Sequence, residues 1–284
     1  MATATPLPAR QAGAKPVKRM SMSDLRTTGR NLPTRLVMHG LEGCGKTSFA
    51  AFAPKPVFIM TAGETGLETL IDSGQLPEIP HFPEVQTWLD LLGILDAMIE
   101  DEHDRQTLVL DTGNGAERLC HEEVCRRDYN GDWGKQGFTS YMQGYDVALA
   151  DWRLFLAKLD RIREQRRMAI IVLCHTKITT FKNPTGADYD RYEPKMHAKT
   201  WGLTKEWADI ILFADYETEI IRGRRDNETA KGKAVGGSYR TMRTVRTATF
   251  DAKNRHGLPE EIEMGVSGKE AWNNFVNAMK KKGG

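Results

Sequence analysis

A glycine-rich segment near the start of the sequence carries the residue types that bind phosphate groups. It matches the pattern G-x-x-x-x-G-K-[ST] and continues with a serine: Gly40, Leu41, Glu42, Gly43, Cys44, Gly45, Lys46, Thr47 and Ser48. Glycines allow the backbone to turn so that several N–H groups point at phosphate oxygens. In this pattern Lys46 reaches the β- and γ-phosphates and the Thr47 hydroxyl binds Mg²⁺. The segment therefore predicts a P-loop, with ATP and Mg²⁺ as its ligands.

An acidic residue ends a short apolar run further along the chain. Asp111 follows Thr107-Leu-Val-Leu, which has the composition of a buried strand. Open α/β sheets bind ligands at the carboxyl ends of their strands, where an aspartate can hold the metal through its water shell. The alternative is an ordinary strand-end aspartate. The P-loop upstream favours the metal role, so we predict Thr47 and Asp111 as the metal residues.

Two further residues follow predicted strands and are candidates for catalysis. Glu64 comes just after the second strand and could activate the attacking water, since hydrolysis requires a general base. A solvent-facing loop glutamate is an equal alternative. His175 directly follows the fourth strand and could sense the γ-phosphate, the alternative being a histidine held by local backbone.

The apolar pattern alternates between strands and helices through most of the chain. Short apolar runs predict strands at 35–40, 56–61, 106–111 and 168–174, and amphipathic spacing predicts helices at 46–52, 84–101, 117–127 and 141–164. Near-continuous apolar strands indicate an α/β fold with a mainly parallel sheet covered by helices on both faces. The last third predicts antiparallel strands at 209–221 and 240–250, joined by a glycine-rich basic loop at 223–237, and a closing helix at 269–281.

Composition limits the classes of protein to which the chain can belong. It has 284 residues with 40% hydrophobic and 27% charged residues and a net charge of +2, so it is not a general polyanion binder. It has no apolar run long enough for a membrane span and no signal peptide, which predicts a cytoplasmic protein with reduced cysteines. Whether Cys44, at a helix start, forms a reactive thiolate stays open. We predict a flexible basic leader at 1–34, an ATPase domain at 35–265 and a C-terminal helix and tail at 266–284.

The P-loop, the strand ending in Asp111 and the strand before His175 together resemble the AAA/RecA-type ATPase core. More narrowly, residues 35–265 are similar to small phage-encoded ATP-binding proteins of RecA-like fold, some of them single-strand annealing or recombinase proteins. The resemblance implies a RecA-like P-loop NTPase core that hydrolyses ATP slowly in the host cell cytoplasm. It also implies a homo-oligomer, either a filament or a ring, although a monomer stays open.

The same resemblance implies roles for two other segments. Lys253 and Arg255 would reach the γ-phosphate of a neighbouring subunit's ATP, in the manner of an arginine finger, unless they are solvated residues of a turn. The segment 176–199 follows the fourth strand as a DNA-binding loop does in RecA-like proteins. It combines cations with aromatic rings, which is how single strands are held without sequence readout: Lys177, Phe181, Lys182, Tyr189, Arg191, Tyr192, Lys195 and Lys199.

Partners follow from these cations and from a basic stretch at 222–246. The stretch holds eight cations against two acids: Arg222, Arg224, Arg225, Lys231, Lys233, Arg240, Arg243 and Arg246. It predicts either a single-stranded DNA contact or a solvated hairpin. The resemblance implies single-stranded DNA as the partner, with a single-strand-binding protein as a further candidate. The alternatives are a nucleotide-dependent assembly protein without DNA binding and a helicase or packaging motor subunit.

Overall fold

The structure is a computed structural model that describes residues 21–25, 31–221 and 233–280. The chain divides into two compact units, Met1–Asn31 and Leu32–Gly284. Most of the predicted leader lies outside the described residues, and a single 3₁₀ turn, Met22–Asp24, is described in the first unit. None of the helices in the described part of the chain is long and apolar enough to cross a membrane.

The second unit alternates strands and helices for most of its length. Its described strands are β1 (Arg35–Gly40), β2 (Pro56–Met60), β3 (Thr107–Asp111), β4 (Ala169–Phe181), β5 (Tyr189–Pro194), β6 (Ile210–Ile221), β7 (Lys233–Arg243), β8 (Lys253–Asn254) and β9 (Glu261–Glu263). Its described α-helices are α1 (Lys46–Ala51), α2 (Gly66–Asp72), α3 (Trp88–Glu100), α4 (Gly113–Asp128), α5 (Gln143–Gln165), α6 (Ala198–Trp207) and α7 (Gly268–Lys280).

The described strands form one mixed sheet whose central part is parallel. Its order is β2-β3-β4-β1-β6-β7-β9, with β5 paired to β4 and β8 paired to β6. The pairs among β2, β3, β4, β1 and β6 are parallel, whereas β7 pairs antiparallel with β6 and with β9. The predicted α/β fold, with a mainly parallel sheet and antiparallel strands toward the C-terminus, is therefore confirmed, and β4 lies between the P-loop strand β1 and the Asp111 strand β3.

Helices cover both faces of this sheet because its central strands are apolar on both sides. On β1, Val37 packs toward α3, α4, α5 and α6, and its neighbours Leu36 and Met38 pack toward α1, α2 and α7. All three side chains are buried. A strand buried on both faces has no polar side to alternate with, which explains the continuous apolar runs in the sequence.

Aromatic residues fill much of both helical layers. On one face Trp88 of α3 stacks on Trp152 of α5, with ring centroids 6.1 Å apart, and the Trp152 indole donates to the Thr204 hydroxyl at 2.9 Å. On the other face Phe49 of α1 meets Phe275 of α7 edge-on at 5.6 Å. The predicted closing helix is therefore confirmed, and it packs against the helix that begins in the P-loop.

The prediction of a loop over 176–199 is wrong. Strand β4 continues past the sheet to Phe181, and β5 returns antiparallel beside it with Phe181 opposite Tyr189 and Thr176 opposite Pro194. The β-branched and aromatic residues at 178–181 favour an extended strand over a loop. Arg191 faces inward rather than toward solvent: it is 3% exposed and lies 2.5 Å from the Asp251 carboxylate. Its guanidinium is therefore not available to a DNA phosphate.

The antiparallel pairing of β6 and β7 is confirmed, but two boundaries differ from the prediction. Residues 222–232 of the predicted basic loop lie outside the described residues, and 233–237 belong to β7. Strand β7 ends at Arg243 instead of continuing toward residue 250. Beyond it the Thr244 hydroxyl donates to the Pro259 carbonyl at 2.6 Å, which ties this part of the chain to a loop instead of a strand neighbour.

Asp251 connects the β4–β5 hairpin to the strand that leads into the P-loop. Its carboxylate accepts hydrogen bonds from the Trp201 indole and the Lys205 ammonium, each at 2.9 Å, in addition to pairing with Arg191. Its backbone carbonyl accepts a 2.7 Å hydrogen bond from Nε2 of His39, on β1. The Thr176 hydroxyl lies 3.0 Å from the other ring nitrogen of His39, which this tautomer leaves as an acceptor.

His39 predicts a pH dependence of stability. Burial lowers the pKa of His39 from 6.5 to about 4, so between these values the unfolded chain binds a proton that the native chain does not. Stability is therefore fully present above pH 6.5 and falls as the pH drops toward 4, by about 3 kcal/mol in all. We expect His39→Gln to remove this part of the slope in urea unfolding between about pH 7 and about pH 5.

The matched control is His81→Gln, at an exposed histidine whose Nδ1 contacts only a backbone carbonyl. It should leave the pH dependence of the unfolding free energy as in the wild type. An unchanged slope in His39→Gln would show that His39 is not the buried neutral histidine of this network.

Candidate functional site

The P-loop lies at the carboxyl end of the parallel strands. Strand β1 ends at Gly40 and α1 begins at Lys46, so residues 41–45 of the glycine-rich segment form the turn between them. Gly45 precedes the helix with φ of 92°, a left-handed conformation that costs a residue with a side chain more than it costs glycine. Gly40 is packed so closely against β6 that a Cβ atom there would lie 2.2 Å from the Ala214 carbonyl oxygen. Both positions therefore require glycine for steric reasons.

The Lys46 ammonium is folded back onto the P-loop. Its Nζ donates to the carbonyl oxygens of Gly40 at 3.0 Å and Leu41 at 2.9 Å. The side chain is 8% exposed, so this charge is held among neutral acceptors in a nearly buried position. Charge-assisted hydrogen bonds to phosphate are stronger than those to neutral carbonyls, so an anionic ligand can draw the ammonium away from these partners.

Thr47 and Asp111 meet across the gap between α1 and β3. The Thr47 hydroxyl donates to the Asp111 carboxylate at 2.8 Å. The pKa of Asp111 is raised to about 6, mainly by burial and in part by the nearby Glu64 charge, while the Thr47 hydrogen bond opposes the shift. Mg²⁺ prefers oxygen ligands, takes only one or two from carboxylates and keeps several waters. A hydroxyl and a nearly buried carboxylate facing one cavity fit that ion.

Glu64 and His175 form the second contact of the site. Nε2 of His175 lies 2.9 Å from Oε1 of Glu64, and the Thr112 hydroxyl donates weakly to the same oxygen at 3.4 Å. The hydrogen bond from His175 lowers the pKa of Glu64, against the effect of its partial burial. The backbone N–H of His175 donates to the Asn114 side chain at 2.9 Å. Glu64 is thus an ionised carboxylate held in place from two strand ends.

These residues line a single cavity of about 340 Å³, within the usual size range of small-molecule sites. Its walls come from the P-loop, α2 and three strand ends: Glu42, Gly43, Gly45, Lys46, Thr47, Ser48, Glu64, Gly66, Leu70, Gln75, Asp111, His175 and Arg240. A larger and more apolar cavity of about 630 Å³ lies near Pro33, Thr107 and Phe275. That cavity contains none of the predicted catalytic residues, so we place the chemistry in the smaller one.

Two residues of this site were not identified from the sequence. Arg240 was grouped with the basic stretch, but its guanidinium contacts the Cys44 carbonyl of the P-loop at 3.5 Å. Tyr216 was not considered, and its hydroxyl donates to the Gly43 carbonyl at 2.7 Å. The two residues are opposite each other in the antiparallel register of β6 and β7. The register of this strand pair places both residues beside the P-loop, and no short motif in the sequence predicts that register.

Lys253 and Arg255 lie away from the cavity of their own chain. Strand β8 pairs with the beginning of β6, near the amino ends of the parallel strands, whereas the P-loop lies at their carboxyl ends. The Lys253 ammonium donates to the carbonyls of Lys205 at 2.5 Å and Glu206 at 3.1 Å, and Arg255 lies 3.7 Å from Asp209. Their role at a neighbouring subunit's ATP stays a prediction.

Cys44 is fully buried within the P-loop. Burial raises the pKa of its thiol, although the charges of Lys46 and Arg240 oppose the shift. A raised pKa disfavours the reactive thiolate considered from the sequence.

The match to a protein family agrees with this geometry. A family model described as an AAA domain matches residues 32–256. Solved structures similar to the chain include a crystal structure of the RadB recombinase, at 13% sequence identity and a TM-score of 0.40, covering 74% of this chain and 88% of that one. A search of curated proteins found no match. The family model spans most of the sequence, including the P-loop, Asp111 and His175, and the chain therefore belongs to the AAA domain family of P-loop ATPases.

Proposed function

We propose that the chain binds ATP with Mg²⁺ and hydrolyses it to ADP and phosphate. One observation carries the proposal: the Thr47–Asp111 and Glu64–His175 contacts face the same cavity as the P-loop lysine, Lys46. A phosphate cradle, a metal position and a carboxylate base are the parts that phosphoryl transfer to water requires.

Each part has a distinct role in this proposal. Lys46 exchanges its carbonyl partners for the β- and γ-phosphate oxygens. Thr47 and Asp111 hold the metal ion, which when bound neutralises charge on those oxygens. Glu64 accepts a proton from the attacking water, and His175 holds Glu64 and responds to the γ-phosphate.

The Glu64–His175 contact also explains why hydrolysis would be slow without a partner. A hydrogen bond that lowers the pKa of Glu64 keeps the carboxylate ionised but makes it a weaker base. The oxygen engaged by His175 is also the one that the Thr112 hydroxyl approaches, so it is already occupied. A ligand that draws His175 away would release the base and raise the rate.

The metal position is tested by Asp111→Asn. Removing the charge of this carboxylate should abolish most of the Mg²⁺ contribution to ATP affinity, by about 10-fold or more. The measurement is titration calorimetry with ATP in the presence and absence of Mg²⁺. The control is Asp215→Asn, a half-buried carboxylate at the end of the parallel part of β6 that bonds to Thr241 and Arg243 and does not line the cavity. Equal Mg²⁺ dependence in Asp111→Asn and the wild type would contradict the assignment.

The base is tested by Glu64→Gln. We expect this variant to bind ATP as the wild type does and to hydrolyse it about 10²- to 10⁴-fold more slowly, since general base catalysis contributes on this scale. Glu68→Gln, at an exposed glutamate one helical turn further along, is the control and should keep the wild-type rate. If Glu64→Gln turns over ATP normally, another group activates the water.

Single-stranded DNA is the partner that we propose for the ATP-bound state, in phage recombination or annealing. The support is the path of β4, which runs without interruption from His175 at the ATP site into the β4–β5 hairpin. Near the end of this hairpin Phe181 and Tyr189 lie with ring centroids 5.2 Å apart, and Lys182 is 85% exposed. Aromatic faces and exposed cations are what sequence-independent strand binding uses.

A homo-oligomer, either a filament or a ring, belongs to the same proposal. Lys253 and Arg255 lie near the amino ends of the parallel strands, away from the cavity of their own chain, so they can contact ATP only in another subunit. Residues 35–265 would then form the ATPase domain, with the helix of the 266–284 segment packed on it through Phe275.

The coupling is tested by measuring ATP hydrolysis with and without single-stranded DNA in the wild type and in Lys46→Ala. DNA should raise the wild-type rate, and Lys46→Ala should be inactive in both conditions because it lacks the cation for the β- and γ-phosphates. Lys269→Ala, an exposed lysine at the start of α7, is the charge-matched control.

The alternatives give different results in the same assay. A Lys46-dependent rate that DNA does not change would favour the nucleotide-dependent assembly protein, whose oligomeric state should then change with ATP. Rapid DNA-stimulated turnover by a closed ring would favour the motor subunit. A rate that survives Lys46→Ala would contradict the ATPase itself.

A further inference from the structure

Arg240 reaches the P-loop from the antiparallel side of the sheet. It lies opposite Tyr216 in the register of β6 and β7, and the Tyr216 hydroxyl fixes this strand pair to the Gly43 carbonyl. The Arg240 guanidinium packs directly on Gly45: a Cβ atom built on that glycine would lie 2.6 Å from Nη1. Because Gly45 has no side chain, it leaves space for the guanidinium and also allows the backbone conformation of the turn.

The hydrogen-bond partners of this guanidinium are neutral. Nη2 donates to the Gly265 carbonyl at 2.9 Å, and Nη1 has only a long contact of 3.5 Å with the Cys44 carbonyl. Among the described residues no carboxylate forms an ion pair with Arg240. Arg243, on the same strand, differs: it is paired with Asp215 and with Glu261. Arg240 thus lines the candidate nucleotide cavity as a cation that has no carboxylate partner in the described part of the chain.

The position of Arg240 is held by the segment that leads into α7. The Met264 N–H donates to the Arg240 carbonyl at 2.9 Å, while the Gly265 carbonyl accepts from the guanidinium. Beyond it, Gly268 lies so close to α1 that a Cβ atom there would be 2.2 Å from the Ser48 carbonyl oxygen. The backbone of Met264 and Gly265 therefore holds both the main chain and the guanidinium of Arg240 beside the P-loop. A binding group needs this kind of preorganisation.

We infer that Arg240 is a second phosphate-binding cation of the nucleotide site, supplied by the same chain, that binds ATP and ADP alike. The inference rests on the proposed nucleotide function and extends it. Strands β6 and β7 lie on one side of β1, whereas Asp111 and His175 come from β3 and β4 on the other side. Arg240 therefore meets the phosphate chain away from the metal and the water, and contributes to binding rather than to the chemical step.

The exchange of partners is favourable for simple reasons. A guanidinium has five N–H donors in a planar fork that can bind two phosphate oxygens at once. Nη1 would give up only the long Cys44 contact, and Nη2 would keep its bond to the Gly265 carbonyl. Charge-assisted hydrogen bonds are stronger than the neutral ones they replace.

The experiment compares Arg240→Met with Arg243→Met. Titration calorimetry measures the affinity of each variant and the wild type for ATP, ADP and adenosine. Methionine keeps a flexible, unbranched side chain at this position but removes the guanidinium and its charge. Arg240→Met should weaken ATP and ADP by a similar factor, about 10- to 100-fold, and leave adenosine unchanged. Arg243→Met should bind all three as the wild type does, and Arg240→Lys should recover part of the loss.

A measurement on the wild type does not depend on the variants folding. Phenylglyoxal modifies accessible arginines, and mass spectrometry locates the modified residues. ATP and ADP should protect Arg240, adenosine should not, and Arg243 should react equally in all conditions. Absence of protection by ATP would overturn the inference.

The outcomes separate this inference from the function on which it rests. If the wild type binds no ATP, the proposed function is wrong. If the wild type binds ATP, and Arg240→Met binds ATP and ADP as tightly as the wild type does, the inference alone fails. Arg240 then only supports the P-loop. A loss confined to ATP would place Arg240 at the terminal phosphate and overturn the assignment to both nucleotides.

Discussion

The position of β4 between β1 and β3 is the constraint on which the candidate site depends. Because the three strands pair in parallel, the last residues of their paired segments lie side by side, and Gly40, His175 and Asp111 come into reach of one cavity. An arrangement with β1 beside β3 would bring Asp111 to the P-loop but leave no strand between them to carry a histidine. Glu64, which follows β2 at the outer side of β3, then reaches His175 across the end of that strand.

Among the described residues, three charged groups of the site form no ion pair: Asp111, Lys46 and Arg240. Asp111 is nearly buried, and burial raises its pKa to about 6, so its ionised form is costly without a cation nearby. Lys46 and Arg240 are cations whose partners are backbone carbonyls rather than carboxylates. A metal ion beside Asp111 would stabilise its ionised form, and a phosphate chain between Lys46 and Arg240 would give both cations an anionic partner. This arrangement supports the proposal that the site binds a magnesium–phosphate ligand.

The sequence alone predicted the parts of this site that depend on local structure. The P-loop is contiguous, and Asp111 and His175 each follow an apolar run, so strand ends and the rules of parallel sheets were enough to group them. Arg240 and Tyr216 were missed because they reach the site through the register of an antiparallel pair, which no local pattern fixes. Segment 176–199 was misjudged because its polar and charged residues suggested a loop, whereas the pairing of Phe181 with Tyr189 and the burial of Arg191 arise from tertiary contacts.

Because β4 is continuous, it connects the ATP site directly to the β4–β5 hairpin. His175 belongs to the sheet, and its neighbour Thr176 already belongs to the hairpin and contacts His39 on the P-loop strand. A displacement of His175 must therefore either carry the hairpin with it or break contacts at Thr176. The hairpin is in turn held by the buried Arg191–Asp251 pair, whose disruption would leave an unpaired charge at a cost of about 3–5 kcal/mol. Movement of the hairpin as one body is thus less costly than local unfolding within it, and we expect a displacement of His175 to reach the hairpin along β4.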